Sequence, residues 1–260
     1  EVYSSKRVML YIHGGSFVGG SRRSWRGFCS MLANKTFSRV VVPEFRLAPA
    51  HAFPLAIEDI QNTFRALFTE EQIARSLDSG SVNDLPEIII AADSSGASIA
   101  MALLLNLRER FRKSISKVIL FSPWLNLSES SYLKSGKKLS DEVMTSDCLK
   151  TSGDVYTYSS NLSNYLVSPI NSSKELLTGL PPFFIQMGEK EILLEDVKSF
   201  RIIKKSIDAR NKDDVFYVYT LDLLLDNENV VITPHNAFNS IEAVNRIINT
   251  TIKNIERSNI

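Results

Sequence analysis

The chain has 260 residues, of which 44% are apolar and 23% charged, and its 30 basic and 29 acidic residues leave a net charge of +1. This composition is typical of a globular protein with a sizeable core. The balanced charge argues against a surface for nucleic acid or anionic lipid. The longest apolar run, around Ile99–Leu105, is shorter than the roughly 18 residues that a membrane span requires. We therefore expect neither a nucleic-acid partner nor a membrane span.

Two further features bear on processing and compartment. The sequence opens at Glu1 rather than at a methionine and enters a strand pattern almost at once, so we expect further residues upstream. Cys29 and Cys148 do not have the spacing of metal ligands, and we expect them to be free thiols. Free thiols favour a reducing, cytoplasmic compartment.

Short apolar segments alternate with helical patterns along most of the chain. The expected strands are Val8–Ile12, Val40–Val42, Ile88–Ala92, Val118–Phe121, Phe183–Met187 and Val215–Tyr219. The expected helices are Ala56–Phe68, a helix after the third strand that runs to about Arg112, Leu193–Ala209 and Ser240–Ile255. This alternation predicts an α/β fold of three layers, in which a mainly parallel sheet of about six strands carries helices on both faces.

A polar, serine-rich segment of more than fifty residues interrupts the alternation between Trp124 and Leu180. A loop of that length without secondary structure is uncommon in a compact domain. We expect residues 125–178 to form a small, mostly helical cap, inserted into a single domain that spans residues 1–260. Over the carboxyl edge of the sheet, such a cap would act as a lid and supply walls of a substrate pocket.

The third expected strand ends in a turn with a serine at its centre. In Ala92-Asp93-Ser94-Ser95-Gly96, small residues stand two positions before and two after Ser94, and an alanine-rich helical pattern follows. This order is typical of a nucleophile elbow, in which the turn is so tight that the residues at −2 and +2 must be small. Ser94 is therefore the candidate nucleophile.

A glycine-rich loop follows the first expected strand, in His13-Gly14-Gly15-Ser16-Phe17. Glycines allow backbone N–H groups to face a substrate oxygen without a Cβ in the way. Two or three such donors form an oxyanion hole, which stabilises the tetrahedral intermediate of acyl transfer. Beside a nucleophilic serine, this loop predicts an oxyanion hole rather than a plain glycine turn.

A serine hydroxyl needs an adjacent base, and the chain offers three histidines. His13 lies in the glycine loop and is expected to be a structural anchor, and His51 is expected on the surface or in a loop. His235 follows the last expected strand and precedes the last helix. That is the position of the base in an enzyme with the chain order serine, acid, histidine, so His235 is the candidate base.

The acid of such a triad should follow the fifth expected strand, where four carboxylates occur between Gly188 and Asp196. Its function is to accept the imidazole N–H and stabilise the imidazolium. Glu195 and Asp196 would fall in the first turn of a helix, where the helix dipole already accounts for an acidic residue. Glu189 and Glu191 both remain as candidates on this reasoning.

Several further motifs appear in a fixed order over nearly the whole chain, from about Val8 to Ile248. Together they resemble the hormone-sensitive-lipase-like group of α/β hydrolases. They are His13-Gly14-Gly15, Phe45-Arg46-Leu47-Ala48-Pro49, Phe53-Pro54, Glu58-Asp59, Asp93-Ser94-Ser95-Gly96, Ser122-Pro123-Trp124-Leu125-Asn126-Leu127-Ser128, Ser168-Pro169-Ile170 and Gly179-Leu180-Pro181-Pro182.

The resemblance implies hydrolysis of carboxylic esters of short to medium acyl chain, without a cofactor or metal. It implies Ser94 as nucleophile and His235 as base, and it selects Glu191 over Glu189, because the group's acid stands three residues after the glycine and two before a leucine. It also implies oxyanion donors, and a segment that supports the glycine loop. The donors are the N–H groups of Gly14, Gly15 and Ser95, and the supporting residues are Arg46, Glu58 and Asp59.

The chain departs from the group's pattern at Ala92 and Ser16, where glycines are usual, and in a longer stretch, Leu221–Pro234, before His235. The upstream strands of the group are also absent from the sequence, and a sheet edge left open would favour a homodimer. Two alternatives to an esterase therefore stay open. One is a catalytically silent ligand-binding protein of the same fold, and the other is an amidase or deacetylase acting on arylamides or acetylated small molecules.

Overall fold

The computed structural model describes residues 7–78, 87–128, 141, 143–188, 190–208 and 216–221. Within them, six strands form one parallel sheet in the order β2-β1-β3-β4-β5-β6. The strands are β1 (Arg7–Ile12), β2 (Arg39–Val41), β3 (Glu87–Asp93), β4 (Ile115–Phe121), β5 (Phe183–Gly188) and β6 (Phe216–Leu221). All six expected strands are therefore present. The chain moves from β1 to β2 on one side and then returns to β3 on the other side of β1, so the direction in which strands are added to the sheet changes between β1 and β3.

Seven α-helices cross over between these strands in the described part of the chain. They are α1 (Arg26–Thr36), α2 (Leu55–Asp78), α3 (Ser95–Asn106), α4 (Glu109–Arg112), α5 (Ser146–Tyr156), α6 (Lys174–Leu177) and α7 (Leu194–Asp208). Two short 3₁₀ helices lie between α5 and α6, at Ser159–Asn161 and Pro169–Asn171. None of the helices described here combines the length and apolar character that crossing a bilayer requires.

Alternate residues of β1, β3, β4 and β5 enter two separate cores. On β1, Val8 and Leu10 join the larger core, which contains buried side chains of α2 and α3. Met9 and Tyr11 join the smaller core, which packs against α1. Since both faces of the sheet are covered, the strands are apolar throughout, and the predicted three-layer α/β architecture is confirmed.

The structure differs from the helix predictions at three points. Helix α1 was not expected, and α2 extends ten residues beyond the predicted end at Phe68. The helix predicted to run to Arg112 ends at Asn106, because Leu107 and Arg108 have extended backbones with ψ of 138° and 149°. This break allows Leu107 to pack against the larger core. The expected helix Ser240–Ile255 lies outside the described residues.

Candidate active site

Ser94 occupies a strained turn between β3 and α3. Its backbone has φ 49° and ψ −123°, a region that side-chain-bearing residues rarely adopt. The turn is held by two backbone hydrogen bonds to the neighbouring strand, since Ser94 N–H donates to Phe121 O at 3.0 Å and Trp124 N–H donates to Ser94 O at 3.0 Å. Strain of this kind persists only where the surroundings enforce it, and it is typical of functional sites.

Gly96 lies where the elbow crosses β1. A Cβ at this position would lie 2.2 Å from the carbonyl oxygen of Ile12 and 2.5 Å from that of His13. The position two residues after Ser94 must therefore be small, as expected. The atoms that exclude a side chain there belong to the end of β1. Ala92, the other small residue of the turn, is fully buried in the larger core.

The glycine loop begins at the carboxyl end of β1, directly against the elbow. A Cβ on Gly14 would lie 2.9 Å from the Cβ of Ser94. The next three residues have positive φ, at 118° for Gly15, 55° for Ser16 and 66° for Phe17. Ser16, which stands where a third glycine is usual, therefore adopts the left-handed conformation that a glycine would adopt more easily.

Asp93 connects the elbow to the glycine loop, and sequence reasoning missed this role. Its Oδ1 accepts hydrogen bonds from Gly14 N–H at 3.0 Å and from the Tyr11 hydroxyl at 2.9 Å. Burial raises the pKa of Asp93 to about 7, against the opposing effect of these hydrogen bonds. The Gly14 N–H is thus already donated within the protein, which leaves Gly15 and Ser95 as the remaining candidate oxyanion donors. A charged residue at the end of an apolar strand was the signal that could have revealed Asp93.

Glu191 is a buried carboxylate in the loop between β5 and α7. Its Oε1 accepts hydrogen bonds from the Ser122 hydroxyl at 3.0 Å and from the backbone N–H of Gly188. Among the residues that the structure describes, Oε2 has no hydrogen-bond partner. Burial raises the pKa of Glu191 to about 8, although both hydrogen bonds oppose the shift. A buried carboxylate of this kind requires a further donor, and a cationic one would restore its charge.

Ser122 follows β4 in the same way that Ser94 follows β3, and its φ is 45°. Its N–H donates to Gln186 O at 2.8 Å, which ties the end of β4 to β5. Sequence reasoning identified Ser122 only as part of a family motif. Its position just after an apolar strand could have marked it as a residue of the carboxyl edge.

The other acids of this segment have separate partners. Glu195 and Asp196 lie in the first turn of α7, as expected. Glu195 pairs with Lys198 at 2.9 Å, and the buried Asp196 accepts a hydrogen bond from Asn126 at 3.2 Å. Glu189 lies outside the described residues.

His13 is a structural residue of the glycine loop. It is buried, its ring stacks against Trp25 and Phe45 with centroid distances of 5.0 and 4.4 Å, and its Nδ1 donates to Gly14 O at 2.8 Å. Burial also lowers the pKa of His13. His51 is exposed. His235, the candidate base, lies outside the described residues.

The described part of segment 125–178 packs directly on the glycine loop. The ring of Tyr156, at the end of α5, stacks on that of Phe17 with a centroid distance of 3.9 Å. Phe17 O accepts a hydrogen bond from Ala48 N–H at 3.0 Å. Near Ala48, the guanidinium of Arg46 binds both carboxylate oxygens of Asp59, with the shortest contact at 2.8 Å. The loop is thus supported by the segment that the resemblance assigned to this function.

A strained serine at the turn after β3, a glycine loop against it and a buried carboxylate after β5 are arranged as in α/β hydrolase folds. A model of the alpha/beta hydrolase fold family matches residues 9–208 of the chain. The chain belongs to the alpha/beta hydrolase fold family, and the predicted relationship to its hormone-sensitive-lipase-like members is confirmed.

The chain is similar to several proteins with names that indicate hydrolysis. It is 32% identical over 208 residues to an esterase of Acinetobacter venetianus, covering 80% of this chain and 64% of the relative. It is 30% identical over 193 residues to an acetyl-hydrolase of Streptomyces hygroscopicus, covering 74% of this chain and 60% of the relative. The chain therefore spans less than two thirds of the length of both relatives.

Solved structures support the fold. A Pyrobaculum calidifontis esterase superimposes with a TM-score of 0.74 at 24% identity, covering 96% of this chain and 76% of that chain. A mutant of the esterase E40 superimposes with a TM-score of 0.66 at 27% identity, covering 83% of this chain and 67% of that chain.

Proposed function

We propose that the protein is a serine hydrolase that cleaves carboxylic esters of short to medium acyl chain through an acyl-enzyme intermediate. The observation that carries this proposal is the buried Glu191 carboxylate, whose Oε2 has no partner among the described residues although Oε1 has two. Glu191 follows β5, which pairs with β4, the strand that precedes Ser122. The names of the relatives, esterase and acetyl-hydrolase, agree with the proposal.

In the acylation step, His235 takes the proton of Ser94 as its Oγ attacks the ester carbonyl. The carbonyl π electrons move to oxygen, and the resulting oxyanion accepts hydrogen bonds from the N–H groups of Gly15 and Ser95. The tetrahedral intermediate then collapses, the bond to the alcohol oxygen breaks, and His235 gives its proton to the leaving alcohol. Gly14 has a positioning function in this scheme, because its N–H is donated to Asp93.

In the deacylation step, His235 takes a proton from water as the water oxygen attacks the acyl carbon. The same two N–H groups stabilise the second tetrahedral intermediate, and its collapse releases the acid and returns the proton to Ser94. No redox partner or cofactor enters the balance of either step.

Glu191 orients His235 and stabilises its charged form. In the surroundings described, burial raises the pKa of Glu191 to about 8 and so disfavours its charged form. An imidazole N–H that donates to Oε2 stabilises the carboxylate, most strongly while the ring is cationic during each proton transfer. This contact lowers the pKa of Glu191. In this scheme His235 connects the other two residues, because it accepts the proton of Ser94 and donates a hydrogen bond to Glu191.

The proposal also covers domain organisation, assembly and location. We propose that residues 1–260 form one domain with a cap at 125–178 that shapes the acyl pocket, since Tyr156 of this segment stacks on the glycine loop. The three-residue strand β2 lies at the sheet edge in the described structure, where a second copy could form a homodimer. Cys29 and Cys148 are free thiols, which favours a cytoplasmic location.

A fluorophosphonate probe tests the proposal on the full chain. We expect covalent labelling of the wild type and none of Ser94→Ala, with labelling unchanged in Ser30→Ala, which alters an exposed serine of α1. A panel of p-nitrophenyl esters and matching anilides then identifies the substrate class. A folded wild type that is not labelled would favour a silent binding protein, and cleavage of anilides alone would favour an amidase.

A further inference from the structure

The two residues on either side of Ser94 both bind the glycine loop through their side chains. Asp93 Oδ1 accepts a hydrogen bond from Gly14 N–H at 3.0 Å, and Ser95 Oγ accepts one from Phe17 N–H at 3.2 Å. The two acceptors come from consecutive positions around the nucleophile, and the two donors are three residues apart in the loop. The elbow therefore holds the loop at two points.

The backbone between these two points is strained. Gly15 and Ser16 lie between the bonded N–H groups, and both have positive φ. Ser16 has a Cβ, so its left-handed conformation is unfavourable unless the neighbouring residues hold it. The two hydrogen bonds thus act on the short segment that carries the Gly15 N–H, a proposed oxyanion donor.

Both acceptors are themselves fixed. Asp93 and Ser95 are 4% and 1% exposed, so neither side chain can exchange its loop hydrogen bond for water at low cost. The Tyr11 hydroxyl holds Asp93 Oδ1 from β1 at 2.9 Å. On the other side, Ala48 N–H binds Phe17 O and the Tyr156 ring covers the Phe17 ring.

The geometry points to Asp93 and Ser95 as positioning residues, which hold the glycine loop at Gly14 and Phe17 so that the Gly15 N–H is aligned with the oxyanion formed at Ser94. This inference rests on the proposed function. It assigns two functions to Ser95, because its N–H is an oxyanion donor and its hydroxyl anchors the loop at Phe17. A shift of about 1 Å in such a group lowers a rate by roughly 10²-fold.

Three variants separate the anchors from the donors. Ser95→Ala removes the hydroxyl and keeps the Ser95 N–H, and we expect kcat to fall about 10-fold with KM within about twofold. Asp93→Ala removes the other acceptor, and we expect a fall of roughly 10²-fold. Asp93→Asn keeps an Oδ1 acceptor for Gly14 and Tyr11, so we expect it to restore kcat to within about fivefold of wild type.

Two readouts distinguish positioning from general destabilisation. A trifluoromethyl ketone forms a tetrahedral adduct with Ser94 Oγ, and we expect Ser95→Ala to weaken this adduct by about the same factor as kcat. Hydrogen–deuterium exchange measures the loop without any turnover. We expect faster exchange in a peptide covering residues 13–19 in Ser95→Ala and Asp93→Ala, and wild-type exchange in Asp93→Asn.

Ser98→Ala is the matched control, because Ser98 is a buried serine of the same helix whose hydroxyl binds Trp124 O instead of the loop. We expect it to lose stability without a change in loop exchange or in the ratio of adduct affinity to KM. Unchanged loop exchange in folded Ser95→Ala and Asp93→Ala, together with wild-type adduct affinity in Ser95→Ala, would overturn the inference. If the wild type hydrolyses no ester and takes no probe, the proposed function fails, and the exchange data alone decide whether the elbow holds the loop.

Discussion

The Ser122 hydroxyl donates a hydrogen bond to Glu191 Oε1 at 3.0 Å, although 69 residues separate the two positions in the chain. Ser122 follows β4 and Glu191 follows β5, and the pairing of these strands brings the two residues together. The Gly188 N–H donates to the same oxygen, Oε1. Among the described residues, Oε2 is left without a hydrogen-bond partner. This relationship orients the buried Glu191 carboxylate at the carboxyl edge of the sheet.

Glu191→Gln should lower kcat by roughly 10²- to 10⁴-fold, because an amide N–H₂ cannot accept the imidazole N–H as Oε2 would. Its Oε1 can still accept from Ser122 and Gly188, so the fold should be kept. Steady-state hydrolysis of a p-nitrophenyl ester measures the effect. Glu175→Gln, at an exposed position of α6, serves as the control and should leave kcat unchanged. Full activity in Glu191→Gln would remove this residue from the mechanism.

Ser122→Ala should reduce kcat by about 5- to 10-fold. Glu191 Oε1 would keep the hydrogen bond from the Gly188 N–H but lose the one from the Ser122 hydroxyl, so the carboxylate would be held less firmly. The Ser122 hydrogen bond lowers the pKa of Glu191, so its loss should raise that pKa further. The free energy of unfolding should fall by about 1–2 kcal/mol in urea titrations. Ser114→Ala, which loses a hydroxyl bond to Phe111 O at the opposite edge, should lose stability alone. A kcat as low in Ser114→Ala would contradict the assignment.

Asp93→Asn should change the pH dependence of stability. The folded pKa of Asp93 is about 7, above its ordinary 3.8, so the folded state binds the proton more tightly than the unfolded state. The resulting stabilisation is complete below about pH 4 and is lost as pH rises through about 7. Relative to Asp93→Asn, wild type should therefore lose stability across this window, with a slope that approaches about 1.4 kcal/mol per pH unit. Urea titrations between pH 4.5 and 8 measure the slope, and parallel curves for the two proteins would show that Asp93 titrates normally.

Gly96→Ala should lower the free energy of unfolding by about 3 kcal/mol or more, because its Cβ would lie 2.2 Å from a backbone oxygen that cannot move aside. It should also displace Ser94, so labelling by the probe should slow by at least about 10-fold. Gly27→Ala is the control, since nothing lies within 4 Å of a Cβ at that position of α1. It should raise stability by about 0.5 kcal/mol through helix propensity. Thermal and urea unfolding compare the two variants, and equal stability would mean that the elbow adapts.

The sheet could be predicted from the chain because β1, β3, β4 and β5 are buried on both faces and are therefore largely apolar. Such segments are visible without knowledge of their neighbours, and all six strands were found within one to three residues of their ends. Helix α1 was missed because glycine, serine and asparagine are spread among its few apolar residues, and its stability comes from packing Phe28 and Leu32 against the smaller core. The cap and His235 stay predictions, since residues 129–140 and 142 of the former and all of the latter lie outside the described residues.

The sequence by itself determined the nucleophile turn, the glycine loop and the choice of acidic segment, because small residues at fixed spacings express a steric requirement that is local. Only the tertiary structure decided what each polar group binds. It placed the Gly14 N–H on Asp93, the Phe17 N–H on Ser95 and the Ser122 hydroxyl on Glu191. These contacts join residues 69 to 79 positions apart in the chain. Burial then fixes their strength, because a donor or acceptor removed from water has no partner except the one that the fold provides.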